Sequence, residues 1–228
     1  NSVILKPSHL ASVSLMRLAQ LIHEAGLFKG ALNVVTSSRP EAGAELVEHP
    51  DVDMVSFSGG TSTGRDVMRS AAKTTKKIVL ELGGKSPNIV FADCDKEAAL
   101  GGALSAIFMN QGQMCTAGSR LLLQDEVYNE FVEKLVARAK TLKIGNAMNF
   151  ETEFGPVISR EHRDKILMFI EQGKKEGAKF LCGGKVPALS DAGLNKGFYI
   201  EPTIFGGVKN SMTIAQEEIF GPVLSVIH

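Results

Sequence analysis

The sequence predicts an α/β protein: an open parallel sheet in the first part of the chain, then a second α/β unit, with both ends cut. Three observations lead there. Short apolar runs of strand type alternate with helical runs at spacings of about 20–30 residues, as parallel sheets with crossover helices require. Hydrophobic residues make up 44% and charged residues 22% of the 228, a composition that builds a core and excludes intrinsic disorder. Glycine, at 23 of 228, is enriched without the three-residue period of collagen, which points to tight corners between elements.

A strand over 3–6 opens the chain and Pro7 closes it. A helix is expected over 12–25, where Val13, Leu15, Met16, Leu18, Leu21 and Ile22 recur at helical offsets and Gly26 ends the run. A strand over 32–36, a short helix over 41–48 and a strand over 54–57 come next. That last strand runs into a glycine-rich corner, after which 65–72 turns helical; strands over 77–82 and 88–91 follow. The second unit reads as a buried helix over 96–110, a strand over 120–123, and amphipathic helices over 126–142 and 160–175. Residues 183–197, rich in Gly, Pro, Asn and Asp, read as a loop or hairpin, and the closing apolar run 222–227 as a strand. The two units are expected to meet near Gly83 and Gly84.

Charge excludes some partners. Lys and Arg total 25, as do Asp and Glu, so no overall basic field is available for nucleic acid or an anionic membrane. No apolar run reaches the roughly 18 residues of a membrane helix; the nearest, 98–109, is too short and holds Gly101, Gly102 and Ser105. Cys94, Cys115 and Cys182 form neither a disulfide framework nor a zinc spacing, so reduced thiols in a cytoplasmic compartment and no metal are expected. The chain starts and stops inside strand-like runs, without initiator methionine or signal peptide, and reads as a piece of a longer polypeptide.

Three segments carry candidate chemistry. The first is the corner Ser58-Gly59-Gly60-Thr61-Ser62-Thr63-Gly64, after a strand and before a helix. Its glycines let the backbone approach a ligand, and the helix N-terminus offers free N–H groups to a phosphate. It is neither G-x-G-x-x-G nor a Walker loop, and a plain turn with a cap is the other reading. The second is Leu80-Glu81-Leu82-Gly83-Gly84-Lys85, in which Glu81 faces away from Leu80 and Leu82. Glu81 is either a solvent-facing strand carboxylate or a base that takes a proton from water. The third is Asn110-Gln111-Gly112-Gln113-Met114-Cys115-Thr116-Ala117-Gly118-Ser119-Arg120, a polar, small-residue loop between helix and strand. A thiol there is either inert or a nucleophile among amide donors that hold an oxyanion. The five histidines sit in no partner motif, which weakens a cysteine-protease reading.

Together these segments resemble the aldehyde dehydrogenase superfamily, of which the chain would be the middle portion. Further blocks carry the likeness: Lys6-Pro7-Ser8, Glu24-Ala25-Gly26, Gly155-Pro156, Glu176-Gly177-Ala178, Pro202-Thr203 and Glu217-Glu218-Ile219-Phe220-Gly221-Pro222-Val223. The resemblance implies that Cys115 is the catalytic nucleophile and Glu81 the general base. It implies that Lys6 binds the adenosine ribose, that Gly59, Gly60 and Gly64 form the turn beside the pyrophosphate, and that Gly83 lies near the nicotinamide. Glu218 and Phe220 match residues that hold and pack the nicotinamide ribose; Lys165 and His162 fall at further ribose contacts, while Lys85 stabilises its loop. Residues 1–83 would then be the C-terminal part of a dinucleotide-binding domain and 84–228 an incomplete catalytic domain.

The implied activity is NAD(P)-dependent oxidation of an aldehyde to a carboxylic acid through a cysteine thiohemiacetal and thioester, in a homodimer or homotetramer. The wording around Cys115 is similar to betaine-aldehyde dehydrogenases. His9 stands where many NAD-using members have Glu, which leaves NADP open beside the favoured NAD. Gly60 replaces a common serine. The family's oxyanion asparagine would precede residue 1, so the 228 residues alone are expected to be inactive. The alternatives are a coenzyme-A-acylating relative, which the carboxylate of Glu81 disfavours, and a non-catalytic scaffold.

Overall fold

The computed structural model describes residues 1–189, 191 and 193–228, and the chain divides into two compact units, Asn1–Leu82 and Gly83–His228. Within the expected loop 183–197, Ser190 and Ala192 lie outside the described residues. The rest of it is irregular chain with one 3-10 turn at Leu194–Lys196. Among the described residues no helix is long and apolar enough to cross a membrane.

The first unit alternates β1 (Val3–Leu5), α1 (Ser12–Glu24), β2 (Leu32–Val34), α2 (Glu41–Glu48), β3 (Met54–Ser58), α3 (Thr61–Ala72) and β4 (Lys77–Glu81). Its strands are parallel but form two pairs, β1 with β2 and β3 with β4, where one open sheet was expected. The pairs differ in substance. β3 and β4 have five residues each, alternate exposed and half-buried side chains, and turn Val55, Phe57, Ile78 and Leu80 onto Val47, Val67 and Ala71. β1 and β2 have three residues each, and α1 beside them buries none of its apolar side chains.

α3 begins at Thr61, four residues before the expected start. Gly60 takes extended N-cap geometry (φ −67°, ψ 146°), and Thr61, Ser62 and Thr63 already form the first turn. Gly64 lies inside the helix because a β-carbon there would meet Leu82 Cδ2 at 2.5 Å.

The second unit contains β5 (Pro87–Val90), α4 (Lys96–Phe108), β6 (Arg120–Leu123), α5 (Asp125–Thr141), α6 (Arg160–Lys175), β7 (Lys179–Cys182), β8 (Thr203–Gly206), α7 (Thr213–Gln216) and β9 (Val223–Ile227). β7, β8 and α7 were not foreseen. The strands form one sheet in the order β5-β6-β9-β8-β7, parallel except for β7 at the edge. Alternation along the strands assigns each face its helices. Leu121, Leu123, Ile204, Leu224 and Val226 pack with Leu104, Ile107, Phe131 and Leu135 of α4 and α5. Phe205 and Val223 pack with Ile166, Ile170 and Ile214 of α6 and α7. β8 and most of β9 are buried on both faces, which is why they read as continuous apolar runs. Ser225 is buried in this sheet and satisfied, its hydroxyl donating to Ile214 O at 3.0 Å.

Two side-chain caps fix helix starts near the site. Asp95 Oδ1 accepts from the N–H groups of Glu97 and Ala98 at 3.1 Å, which starts α4. Ser159 Oγ accepts from His162 N at 3.1 Å, which starts α6.

Candidate active site

In the second unit, α4 stops at Phe108 and the chain turns sharply before reaching Cys115. Asn110 (φ 50°), Gln111 (φ 55°) and Gly112 (φ 71°) are three successive left-handed residues. Two of them carry side chains, so the segment stores strain that its surroundings must offset. Gln113 does much of the holding. Its Oε1 accepts from Ile158 N at 2.9 Å and its Nε2 donates to Asn110 O at 3.1 Å, while Asn110 Nδ2 donates to Gln113 O at 3.1 Å.

Cys115 sits at the tip of a turn closed by Ala117 N donating to Met114 O at 3.2 Å. The turn is tied back at two points: Gly118 N donates to Ala106 O of α4 at 2.9 Å, and Ser225 N of β9 donates to Ser119 O at 3.0 Å. The thiol is exposed. Among the described residues, the backbone N–H groups of Cys115 and Thr116 have no acceptor. A fixed thiol beside two free donors could attack a carbonyl and have the resulting alkoxide met by those donors. The other thiols differ: Cys94 is half-buried, and Cys182 is buried, which pushes its thiol up from the ordinary value.

The segment before β9 closes on this loop. A β-carbon on Gly112 would lie 2.3 Å from Gly221 O, so the two backbones touch. A β-carbon on Gly83 would lie 1.8 Å from Glu218 Oε2, so the Glu218 carboxylate rests against bare backbone. Phe220 is itself left-handed (φ 56°), and its carbonyl accepts from His162 Nε2 at 2.6 Å. The two rings meet edge to face with centroids 6.0 Å apart. Lys165 is exposed one turn further along α6, with Nζ 5.9 Å from the centre of the Phe169 ring.

Lys85 lies beneath these elements. Its backbone carbonyl accepts from Arg120 Nε at 2.9 Å, and Arg120 reaches Asn210 Oδ1 at 3.0 Å. Its Nζ is buried without a hydrogen-bond partner among the described residues. Burial, and then the like charge of Arg120, lower the ammonium from its ordinary 10.5 to about 8, while Glu218 and Glu217 oppose the shift.

The first unit holds the remaining candidates. Glu81 ends β4 exposed, opposite in facing to half-buried Leu80, and its carbonyl accepts from Gly59 N at 3.0 Å. Gly59 folds under the Phe57 ring, where a β-carbon would meet Cζ at 2.6 Å, whereas Gly60 faces open space. No side chain caps the first turn of α3, which leaves its N–H groups without a side-chain acceptor. Lys6 follows β1 with its stem along α2 at Gly43, and His9 is exposed in the 3-10 turn His9–Ala11.

In the second unit the fold thus brings together Gly83, Cys115, Glu218 and Phe220 from distant sequence positions. Sequence reasoning missed Gly112 and Gly221 as a touching pair, the clamp made by Gln113, and the support of Phe220 by His162. The G-Q-x-C and F-G-P strings carry the first pair, but nothing in either string shows that they meet.

Comparison with known proteins supplies the family. The chain is 48% identical over 226 residues to the betaine aldehyde dehydrogenase of Bacillus subtilis, covering 99% of itself and 46% of that protein. It is 45% identical over 228 residues to the human mitochondrial aldehyde dehydrogenase, covering all of itself and 43% of that protein. Its structure matches that of Staphylococcus aureus betaine aldehyde dehydrogenase in complex with NAD+ with a TM-score of 0.95 at 43% identity, over 99% of this chain and 44% of that one. The chain therefore spans a little under half the length of these relatives. Residues 1–228 all match the family pattern, and the chain belongs to the aldehyde dehydrogenase family.

Proposed function

We propose that the protein oxidises an aldehyde to a carboxylic acid with NAD, Cys115 acting as nucleophile and Glu81 as general base. The observation that carries this reading is the Cys115 turn: an exposed thiol, rigidly anchored, beside two free backbone donors. The Cys115 thiolate bonds to the carbonyl carbon, and the displaced electron pair goes to oxygen, which the free N–H groups meet. When that oxygen re-forms its double bond, hydrogen leaves the carbon with its electron pair. The nicotinamide of a bound NAD supplies the acceptor for that hydride. Glu81 takes a proton from water, the water oxygen attacks the thioester, and the carbon–sulfur bond breaks to return the thiolate and release the acid.

The residues fit such a cofactor. The uncapped first turn of α3, entered through the open Gly60, suits a pyrophosphate. Gly59 and Gly64 shape that corner, and Lys6 offers an ammonium for the adenosine ribose. Glu218, backed by Gly83, offers two acceptor oxygens to ribose hydroxyls, with Phe220 and Lys165 beside that contact. His9 lacks the carboxylate that would repel a 2′-phosphate, so NADP is the second cofactor to test. The S. aureus relative bound to NAD+ supports NAD as the first. Unpaired thiols support a cytoplasmic location, and the family resemblance supports a homodimer or homotetramer.

The test uses the complete protein. With an aldehyde and NAD, the products are expected to be NADH and free acid, and Cys115→Ala should abolish both. Acyl-coenzyme A formed in place of acid when coenzyme A is supplied would favour the acylating reading. Cofactor-independent labelling of Cys115 by a thiol reagent, with no turnover, would favour a non-catalytic scaffold.

A further inference from the structure

The ammonium of Lys85 is an expensive feature with no structural return. An unpaired buried charge destabilises the fold, and packing at this position could be met by an apolar side chain of similar length. Lys85 lines a cavity of about 10 Å³ together with Gly112, Ala117, Ser119, Glu218 and Gly221, with room for one water. The charged groups that act on it are Arg120 of β6 and Glu217 and Glu218 before β9. Glu218 alone of these also lines the cavity, and no ion pair joins it to Lys85 among the described residues. A direct ion pair would occupy the carboxylate. A charge held at one remove attracts the Glu218 carboxylate and leaves its oxygens free for hydroxyl groups.

We propose that Lys85 is a positioning residue for the cofactor: buried behind Glu218, its charge holds that carboxylate in place, set to receive the nicotinamide ribose. The inference rests on the ribose role proposed above for Glu218. It has a consequence that a loop-stabilising lysine would not have. Losing the charge weakens cofactor binding while making the protein more stable, because the buried ammonium serves the ligand and opposes folding. The lowered affinity of Lys85 for its proton further implies that cofactor binding weakens as pH rises through about 8.

The experiment measures NAD binding by calorimetry on the complete protein from pH 6.5 to 9.5, in a Cys115→Ala background that removes the thiol. Wild-type Lys85 should give a dissociation constant that rises about fivefold with a midpoint near pH 8. Lys85→Met should bind about fivefold more weakly at pH 7, show no such midpoint, and unfold at a higher temperature. Lys85→Arg, charged throughout, should lose the midpoint and keep tight binding at pH 9.5. Unchanged affinity and an unchanged midpoint in Lys85→Met would overturn the proposal, as would a lowered unfolding temperature. Should Lys85→Met fail to fold, persistence of the midpoint in Lys85→Arg overturns it alone. Glu218→Gln separates the two readings: if it binds NAD as tightly as wild type, the ribose role itself is wrong. If it weakens binding while Lys85→Met does not, only the present proposal fails.

Discussion

Gly112 and Gly221 approach so closely that a β-carbon on the first would lie 2.3 Å from the carbonyl oxygen of the second. The contact joins the loop bearing Cys115 to the segment bearing Glu218 and Phe220, so the thiol and the carboxylate are placed by one backbone junction. Gly112 is also left-handed, at φ 71°. Gly112→Ala therefore combines a left-handed alanine with a clash against backbone that no rotamer relieves. The expected loss is about 2–4 kcal/mol of stability, read as a lower urea midpoint, with kcat reduced at least about tenfold. An alanine variant with the wild-type midpoint would show that the two segments are not locked.

Glu81→Gln separates the two halves of the proposed reaction. Hydride transfer needs the Cys115 thiolate and a bound NAD but no base for water, whereas release of the acid needs one. The variant should produce about one equivalent of NADH per site in a rapid burst and then slow by about a hundredfold or more. Intact mass should show Cys115 carrying the acyl group. Unimpaired steady-state acid release would remove Glu81 from the mechanism.

His162 holds Phe220 in its left-handed conformation through a 2.6 Å hydrogen bond to the carbonyl. The bond requires a proton on Nε2, since the acceptor is a carbonyl oxygen. His162→Ala deletes the donor and the edge-to-face contact together, at about 1–2 kcal/mol. The effect should appear as a lower unfolding temperature together with about a tenfold weaker NAD dissociation constant. His162→Gln, which restores a donor, should recover part of the affinity. A variant in which affinity is unchanged while unfolding temperature falls would assign His162 to the fold.

How far the sequence reached follows from what each signal encodes. The helices 41–48 and 160–175 and the strand 120–123 were read to the residue, because their periodicity is local and their ends carry clear stops. The start of α3 was misread because a glycine-rich string looks like continuous turn; Gly64 is in the helix to let it pack on Leu82, a contact invisible along the chain. β8 was missed because both its faces are buried, which erases the alternation that marks a strand. Cys115 stood out as a thiol in a small, polar loop. The three left-handed residues before it did not, since Asn110 and Gln111 are ordinary residues, and the Gln113 bonds that hold Asn110 exist only in the fold. Lys85 was read as a loop residue for a related reason: nothing along the chain shows that its ammonium is buried without a partner.

Stability should register that buried ammonium directly. In the unfolded chain Lys85 has its ordinary value of 10.5, and in the fold burial lowers it to about 8. Between these values the unfolded state binds more protons than the folded state, so this group makes stability rise with pH across that window. Below about pH 8 both states carry the proton and the full penalty stands, at about 3 kcal/mol; above 10.5 neither does, and the penalty is gone. Lys85→Met removes the titration and leaves other groups in place. At pH 7 it should therefore be more stable than wild type by up to about 3 kcal/mol, and the difference should shrink steadily between pH 8 and 10.5. Urea unfolding of both proteins at a series of pH values reads the difference directly. A variant that is less stable at pH 7, or a gap that stays constant with pH, would mean that the Lys85 ammonium has a partner in solution.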